Sequence, residues 1–285
     1  MADVRLDYAV PEKDLVELIT LFYRFHADVP VFEDVERADY AQIRFVRARG
    51  APEYRFPDGS VQQAADIHVL GPTCGAVKVR APGPVDLFGM GLTAAGWSAL
   101  IGSDASTMLN RTVDAMSVFG AGRLREVYDV LWVAPDVHAC VATVTPLVQQ
   151  LSQDRPAGTL HFMHQVDRWL ADASYPQIEE LAALTGLSRR QVERKCKAMY
   201  GAPPKLLARK YRALRAAVAL ASGDESANDL IERGFYDQSH LIREIKQFTG
   251  MTPRQFRAEP TLLSHLVTTQ RTALGDKVGP LIGRT

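Results

Sequence analysis

One sequence unit occurs twice in the C-terminal part of this chain, and it constrains the fold more than any other feature. Seven positions of the first copy recur forty-nine residues later with the same or a similar side chain. The matched pairs are Val192 and Leu241, Arg194 and Arg243, Cys196 and Ile245, Lys197 and Lys246, Gly201 and Gly250, Pro204 and Pro253, and Lys205 and Arg254. An internal repeat at this scale indicates a structural unit that is used twice.

Each copy has the pattern of two short helices around a tight turn. In the first copy Gly186 supplies the turn, and Ser188 and Gln191 predict a capping box at the start of the second helix. In the second copy Asp237 is the predicted N-cap. Between the copies, apolar residues at three- and four-residue steps predict a rigid helix with one buried stripe, formed by Leu207, Tyr211, Leu214, Val218 and Ala221. Two helices around a tight turn are the usual shape of a DNA major-groove reader.

The second helix of each copy would present a polar, mostly basic face, and a helix N-terminus favours anions. We predict that Arg190, Arg194 and Gln238 contact base edges and that Lys197 contacts a phosphate, whereas Glu193 and His240 could equally have structural roles. The predicted DNA-binding residues are Arg189, Arg190, Glu193, Arg194, Lys197, Gln238, Ser239, His240, Arg243, Lys246 and Gln247.

The distribution of charge agrees with a basic binding module. The whole chain has a formal net charge of zero, which alone argues against a nucleic-acid partner. Residues 156–258, however, carry 16 Lys and Arg against 11 Asp and Glu, a net charge of +5, and the rest of the chain carries 17 against 22, a net charge of −5. This asymmetry favours a basic module attached to an acidic domain.

The segment GFYDQSHLIREIKQFTGMTPRQFR, together with the first copy upstream, resembles the DNA-binding domain of AraC/XylS-type transcriptional regulators. The resemblance covers roughly 100 of the 285 residues and implies a seven-helix, monomeric DNA reader with two recognition helices. The chain departs from the family pattern at Asp229 and Leu230, where an Ile-Ala pair is usual, and at Cys196 and Leu241, where phenylalanines are usual. The N-terminal part resembles an uncharacterised sensory domain of one subgroup, through FPDG at 56–59 and VDLFGMGLTAAGWSALIG.

The expected fold class is α+β, with a β-rich, barrel-like N-terminal regulatory domain that also has helices, and an all-α C-terminal domain of two helix-turn-helix units joined by a linker helix. Alternating segments such as QIRFVRA, DIHVLGP and GAVKVRAPGPVDLFGMG, separated by turn residues, predict strands. A short helix, or a strand that follows it, is expected over 15–25, and helices over 93–100, 106–118, 124–131, 138–151 and 160–172. The predicted domains are 1–153 and 157–259, with a linker at 154–158 and a partly mobile tail at 260–285.

Other candidate sites are weaker. Gly89, Gly91 and Ala94 imitate a dinucleotide fingerprint, but no second parallel strand follows, so we expect these glycines to let a strand enter a helix. Cys74 could sense redox state, yet a small buried apolar role is favoured. His161 and His164 have a metal-ligand spacing without a third ligand. We therefore expect no cofactor, no metal and no catalytic residues.

The sequence predicts a DNA-binding transcriptional regulator controlled by its N-terminal domain. Its expected partners are double-stranded DNA, a small-molecule effector at the N-terminal domain, a second copy in a homodimer and, for an activator, RNA polymerase. Unpaired cysteine spacing, no signal peptide and no apolar stretch of membrane length predict a cytoplasmic protein with no membrane partner. Two alternatives stay open: an enzyme-regulator with a catalytic N-terminal domain fused to a DNA anchor, and a regulator controlled by a protein partner instead of a small ligand.

Overall fold

The computed structural model describes residues 3–152, 157–172, 176–232, 234–283 and 285. Its N-terminal part contains two antiparallel sheets. The strands are β1 Val4–Ala9, β2 Ile19–Ala27, β3 Val31–Glu36, β4 Gln42–Arg47, β5 Glu53–Arg55, β6 Val61–Gln63, β7 Ile67–Leu70, β8 Val77–Pro82, β9 Val85–Leu92 and β10 Thr112–Asp114. The larger sheet has the order β1-β2-β9-β4-β7-β10, and the smaller has the order β3-β8-β5-β6.

The two sheets enclose one apolar core. Side chains alternate in and out along β8, as the period of two in a strand requires, so that Val77, Val79 and Ala81 are buried between more exposed neighbours. They pack with residues of the larger sheet, among them Phe25 of β2 and Val46 of β4. The predicted β-rich, barrel-like architecture is confirmed, with strands over the three quoted segments.

A layer of helices covers the other face of the larger sheet. The helices are α1 Ala94–Leu100, α2 Ala115–Phe119, α3 Ala121–Leu131 and α4 Val137–Leu151. Thr93 caps α1, because its hydroxyl accepts a hydrogen bond from the backbone nitrogen of Gly96, as predicted. Apolar residues of α3 and α4 pack against Phe88 and Met90 of β9, so the central strands are buried on both faces.

For the segment 15–25, where a short helix or a strand that follows it was expected, the structure has mostly strand β2, and Phe22 and Phe25 pack on opposite faces of the sheet. Helical spacing and strand pairing compete in such a short apolar segment, and pairing with β1 and β9 decides it. The expected helix over 106–118 is divided into a 3-10 turn (Ala105–Met108), β10 and α2.

The C-terminal part is helical, as predicted. It consists of α5 Ala157–Asp172, α6 Ile178–Thr185, α7 Arg189–Tyr200, α8 Pro204–Ser222, α9 Ala227–Glu232, α10 Gln238–Thr249 and α11 Pro253–Ala258. Two cores hold it: one around Val166, Leu181 and Val192, and the other around Leu241 and Ile245. Most of the predicted linker at 154–158 lies outside the described residues.

The C-terminal tail differs from the expectation of a partly mobile segment at 260–285. It forms α12 Leu262–Leu274, a 3-10 turn and α13 Pro280–Gly283. Leu263, Leu266 and Val267 of α12 pack against the core between the two sheets. The Arg271 guanidinium donates to the Asp39 carboxylate at 2.6 Å. The apolar side chains of the tail thus complete a core that lies more than two hundred residues away in sequence, which local patterning does not reveal.

The glycines of the apparent dinucleotide fingerprint have a packing role. Gly89 and Gly91 lie in β9, which pairs antiparallel with both of its neighbours, whereas a dinucleotide unit needs parallel strands. An added Cβ at Gly89 would lie 2.2 Å from the Tyr23 ring, and one at Gly91 would lie 2.2 Å from the Thr20 hydroxyl. These positions therefore admit neighbouring side chains of β2.

Candidate nucleic-acid interface

The first helix-turn-helix unit is formed by α6 and α7. Gly186 ends α6 in a left-handed conformation with φ of +65°, which glycine adopts without steric cost. Ser188 and Gln191 form the predicted capping box at the start of α7. Val192 and Cys196 are fully buried beneath α7. The local sequence thus fixes both the start of α7 and the face that it turns inward.

The opposite face of α7 carries the predicted basic residues. Arg189 is held within the unit, since it lies 3.5 Å from the Glu179 carboxylate and 3.3 Å from the Glu193 carboxylate. Arg190, Arg194 and Lys197 are exposed. Among the described residues, Arg190 and Arg194 have no ion-pair partner, so their guanidinium groups are available to a ligand outside the chain.

Asp167, on α5, reaches the C-terminal end of α7. Its carboxylate accepts a hydrogen bond of 2.8 Å from the Tyr200 hydroxyl. Burial raises the pKa of Asp167 to about 6, against the hydrogen bond, which lowers it. The carboxyl is therefore protonated more readily in the folded state than in the unfolded chain, where it ionises near pH 4.

Replacing Asp167 with asparagine should raise the stability at neutral pH by about 1–3 kcal/mol, because an ionised buried carboxylate no longer has to be accommodated. The stabilisation of the folded state by the protonated Asp167 carboxyl is fully present below about pH 4, and it is lost as the pH rises through about 6. Urea unfolding at pH 4 and pH 7.5 measures this. D167N should be more stable than the unsubstituted chain at pH 7.5 only, and the exposed control D129N should be no more stable at either pH.

The second helix-turn-helix unit is formed by α9 and α10. The Asp237 carboxylate accepts a hydrogen bond of 2.7 Å from the backbone nitrogen of His240, which confirms the predicted N-cap. The His240 Nδ1 accepts a hydrogen bond from the backbone nitrogen of Tyr236 at 3.2 Å. The ring centroid of His240 lies 5.7 Å from that of Phe235. These contacts give His240 a structural role in the turn, and its contact with DNA stays a prediction.

The outward face of α10 contains the remaining predicted residues. Ile242 lies among these residues and is 37% exposed. Tyr236, in the turn before α10, is 90% exposed. Neither was predicted, because one isolated apolar residue on a polar helix face carries no sequence signal. Gln247 also accepts a hydrogen bond of 3.2 Å from Arg209. The exposed predicted residues are Gln238, Ser239, Arg243, Lys246 and Gln247.

A buried carboxylate, also missed from the sequence, joins α10 to α8. Glu244 has 4% of its side chain exposed. It accepts hydrogen bonds from Arg209 Nε at 2.9 Å and Nη2 at 2.6 Å, and Arg212 Nη2 lies 4.0 Å away. Two parallel hydrogen bonds between a guanidinium and a carboxylate define both distance and orientation. This group of three residues fixes α10 against α8.

The linker helix α8 is buried on more than the single stripe that was predicted. In the first half of the predicted stripe, Leu207, Tyr211 and Leu214 are buried. Lys210, Arg212 and Ala213 are buried as well, because α8 contacts both helix-turn-helix units and the N-terminal part. The Lys210 ammonium donates to the backbone carbonyl of Asp39 at 3.0 Å. Burial lowers the pKa of Lys210 to about 8.

The N-terminal part contacts the C-terminal ends of both α7 and α10. The backbone nitrogen of Ala38 donates to the Phe248 carbonyl at 2.7 Å, and that of Ala76 donates to the Gln247 carbonyl at 2.9 Å. Gly201 and Gly250, which end the two helices, have φ of +79° and +80°. An added Cβ would lie 2.5 Å from Pro72 Cγ at Gly201 and 2.5 Å from Val35 Cγ1 at Gly250.

The other candidate residues have ordinary structural surroundings. Cys74 is half-buried, less than predicted, and its sulfur accepts a hydrogen bond from Asn110 Nδ2 at 3.1 Å. His164 pairs with Glu17 at 2.8 Å. In the described part of the chain, no three His, Cys, Asp or Glu side chains are grouped closely enough to hold a metal ion. No described helix has the length and apolar character that a membrane crossing requires.

Comparison with known proteins assigns the C-terminal region. Residues 181–259 match the model of a helix-turn-helix domain family. The bifunctional transcriptional activator/DNA repair enzyme Ada of Escherichia coli (strain K12) is 34% identical over 80 residues, which are 28% of this chain and 23% of that protein. The chain thus spans less than a quarter of the length of this relative.

Two solved structures are similar over most of the chain. ToxT from Vibrio cholerae has 7% sequence identity and a TM-score of 0.46, with 80% of this chain and 98% of ToxT covered. The AraC-like transcriptional activator CuxR has 13% identity and a TM-score of 0.32, with 80% of this chain and 91% of CuxR covered.

Proposed function

We propose that this chain, whose residues 181–259 are an AraC-type helix-turn-helix DNA-binding domain, is a sequence-specific transcriptional regulator whose N-terminal domain controls how that domain binds DNA. The observation that carries the proposal is the pair α7 and α10. Each is a twelve-residue helix with a side-chain N-cap, a left-handed glycine at its end and a basic outward face. Their agreement in capping, length and exposed charge supports the same role for both helices.

On the first recognition helix, Arg190 and Arg194 would contact base edges, and Lys197 would contact a phosphate. A guanidinium can donate two hydrogen bonds to the O6 and N7 atoms of guanine. An ammonium near the end of a helix is suited to a phosphate, which sets affinity without sequence preference. The ion pairs of Arg189 favour a role in placing Glu193 rather than direct base contact.

On the second recognition helix, Gln238, Ser239 and Arg243 would contact bases, and Lys246 a phosphate. Gln238 is the first residue of α10, where a side chain can reach deepest into a major groove. The exposed Ile242 offers an apolar contact to a thymine methyl group. The second unit would thus prefer an A·T-containing half-site, with adenine contacted by the Gln238 amide.

The linker helix supports binding by both units at once. α8 has 19 residues and is therefore roughly 28 Å long. Its first half packs in the first core through Leu207 and Tyr211, and its second half packs in the second core through Ala216 and Ala217. The hydrogen bonds between Arg209 and Glu244 also hold it. A rigid helix of this length suits two recognition helices in successive major grooves, about 34 Å apart on one face of the duplex.

Control by the N-terminal domain would act through its contacts with the ends of α7 and α10. These contacts set the orientation of both recognition helices, so a change in the N-terminal domain alters how they meet DNA. A small-molecule effector is the input that we favour. A homodimer and, in an activator, contact with RNA polymerase belong to the same proposal.

Two alanine variants test this contact. G250A should weaken it, because the new methyl group would lie 2.5 Å from Val35 Cγ1 and 3.1 Å from Ala76 Cβ. G223A is the matched control: Gly223 ends α8 with φ of +79° and has no atom within 4 Å of an added Cβ. Both variants should be destabilised by roughly 1 kcal/mol, because alanine is unfavourable in the left-handed conformation that each glycine adopts. Only G250A should accelerate hydrogen exchange at the Ala38 and Ala76 amides. Equal hydrogen-exchange rates at these amides in both variants would show that the contact at Gly250 does not hold α10 against the N-terminal part.

Selection of bound fragments from a random DNA pool tests the proposed function. The full chain should enrich one motif with two conserved blocks, and mobility shifts with that motif should show strong salt dependence. Enrichment of no motif would contradict the proposal.

A further inference from the structure

Helix α12 ties the second helix-turn-helix unit to the N-terminal part. It begins at Leu262, three residues after α11 ends at Ala258. Three residues span at most about 10 Å even when they are fully extended. The apolar side chains of α12 pack in the core between the two sheets. While α12 stays in this seat, the second unit cannot move far from the N-terminal part.

Polar contacts hold α12 near both of its ends. The backbone nitrogen of Leu263 donates to the Asp34 carboxylate at 2.9 Å. Arg271 is buried near the other end, where its Nη2 donates to the Asp39 carboxylate at 2.6 Å and its Nε donates to the Tyr8 hydroxyl at 3.2 Å. The bond between Arg271 and Asp39 joins two opposite charges, which makes it the strongest of these contacts.

A second arginine lies beside the same carboxylate. The Nε and Nη2 atoms of Arg37 are buried and have no hydrogen-bond partner among the described residues. Burial raises the pKa of Asp39, but the positive charges of Arg271 and Arg37 outweigh it and hold that pKa well below its usual value. Burial, and then the charge of Arg271, lower the pKa of Arg37 to about 10, so that Arg37 is charged at neutral pH. Two guanidinium groups thus compete for one carboxylate.

Asp39 is the acceptor that remains for Arg37. The other carboxylate beside it, that of Glu36, accepts two hydrogen bonds of 2.8 Å from Arg44. A buried guanidinium without an acceptor costs free energy. In this structure that cost falls on Arg37, because Asp39 is paired with Arg271.

Departure of α12 would reverse the assignment of the two arginines. The Asp39 carboxylate is fixed independently of α12, since the backbone nitrogen of Tyr40 donates to it at 2.9 Å. Once Arg271 has left, Arg37 has an acceptor for its two unused donors. The state without the Arg271 contact is therefore stabilised by a pair that replaces the one it loses.

We propose that α12 is a strap that opens and closes between the second helix-turn-helix unit and the N-terminal part, and that Asp39 passes from Arg271 to Arg37 when it opens. The inference rests on the proposed function, for which it names the element that changes state. Asp39 follows Ala38, whose backbone nitrogen donates to the C-terminal end of α10. Opening of the strap therefore loosens the hold of the N-terminal part on α10.

A crystal structure of the R271Q variant tests the exchange of partners. The Arg37 guanidinium should then lie about 3 Å from the Asp39 carboxylate, with Nε or Nη2 as the donor. The exposed control R49Q should leave Arg271 on Asp39. An R271Q structure in which Arg37 Nε and Nη2 still have no acceptor would overturn the proposal.

Hydrogen exchange measures how often the strap opens. A helix of 13 residues is marginal in water on its own, so opening exposes the α12 amides to exchange. R271Q should accelerate exchange roughly tenfold or more at the amides of residues 266–274, because a charge-assisted hydrogen bond is lost. The Ala38 amide should exchange faster as well, and R49Q should change neither rate.

The variant R37Q keeps this test decisive even if R271Q fails to fold. It removes the competing arginine, so exchange in α12 should become slower than in the unsubstituted chain. Faster exchange in R37Q, unchanged exchange in folded R271Q, or acceleration in α12 without acceleration at Ala38 would each overturn the proposal. Sequence-specific binding of DNA by the unsubstituted chain is measured separately. Its absence refutes the proposed function, whereas failure of the exchange tests alone refutes the strap.

Discussion

Replacing Glu244 with alanine should lower the free energy of unfolding of the helical C-terminal part by about 3 kcal/mol. The reason is that Arg209 and Arg212 keep their charges while the buried carboxylate between them is lost. Arg209 is partly exposed and can regain water, which keeps the expected loss below that of a fully buried pair. Urea unfolding followed by helical circular dichroism measures the difference.

The control for this variant is E259A, which removes an exposed carboxylate just beyond α11. Its stability should change by less than about 0.5 kcal/mol. E244A should also bind DNA more weakly, because α10 loses its main polar contact with α8. If E244A and E259A unfold at the same urea concentration, Glu244 does not fix α10 against α8.

Replacing Arg190 and Arg194 together with alanine should reduce affinity for the selected DNA motif by about 2–6 kcal/mol, since each base-contacting arginine contributes about 1–3 kcal/mol of discrimination. Affinity for unrelated DNA should fall much less, so that the sequence preference largely disappears. Competitive mobility-shift titrations with the selected motif and with scrambled DNA measure both quantities.

The matched control is K197A on the same exposed face of α7. It should weaken binding to both DNAs by the same factor and lower the slope of log affinity against log salt by about 1. If R190A/R194A also weakens binding to both DNAs equally, these arginines contact only phosphates and α7 does not supply sequence preference.

Features set by neighbouring residues could be predicted from the sequence. The caps at Ser188 and Asp237, the turn at Gly186 and the inward faces of α7 and α10 all depend on residues within one helical turn of each other. Strands β4 and β8 could be predicted as well, because apolar residues recur at every second position along QIRFVR and VKVRAP. The exposed basic residues followed directly once these faces were known.

Contacts between distant segments could not be predicted. Lys210 and Asp39 are 171 residues apart, and Arg271 and Asp39 are 232 residues apart. Nothing near Leu263 or Val267 indicates that their partners are strands at the other end of the chain. The same holds for Arg37, whose Nε and Nη2 atoms are buried without a hydrogen-bond partner in the described part of the folded chain. The attachment of α7 and α10 to the N-terminal part therefore required the structure.

The most direct test of the account is the helical phase of the two half-sites. Five base pairs inserted between the two blocks of the selected DNA motif rotate one half-site by about half a turn, and ten base pairs restore the rotation but increase the separation. Because α8 and its buried contacts hold α7 and α10 rigidly, both insertions should reduce the affinity of the full chain to that of a single half-site. Unchanged affinity after either insertion would contradict simultaneous binding of two successive major grooves by a rigid pair of helices.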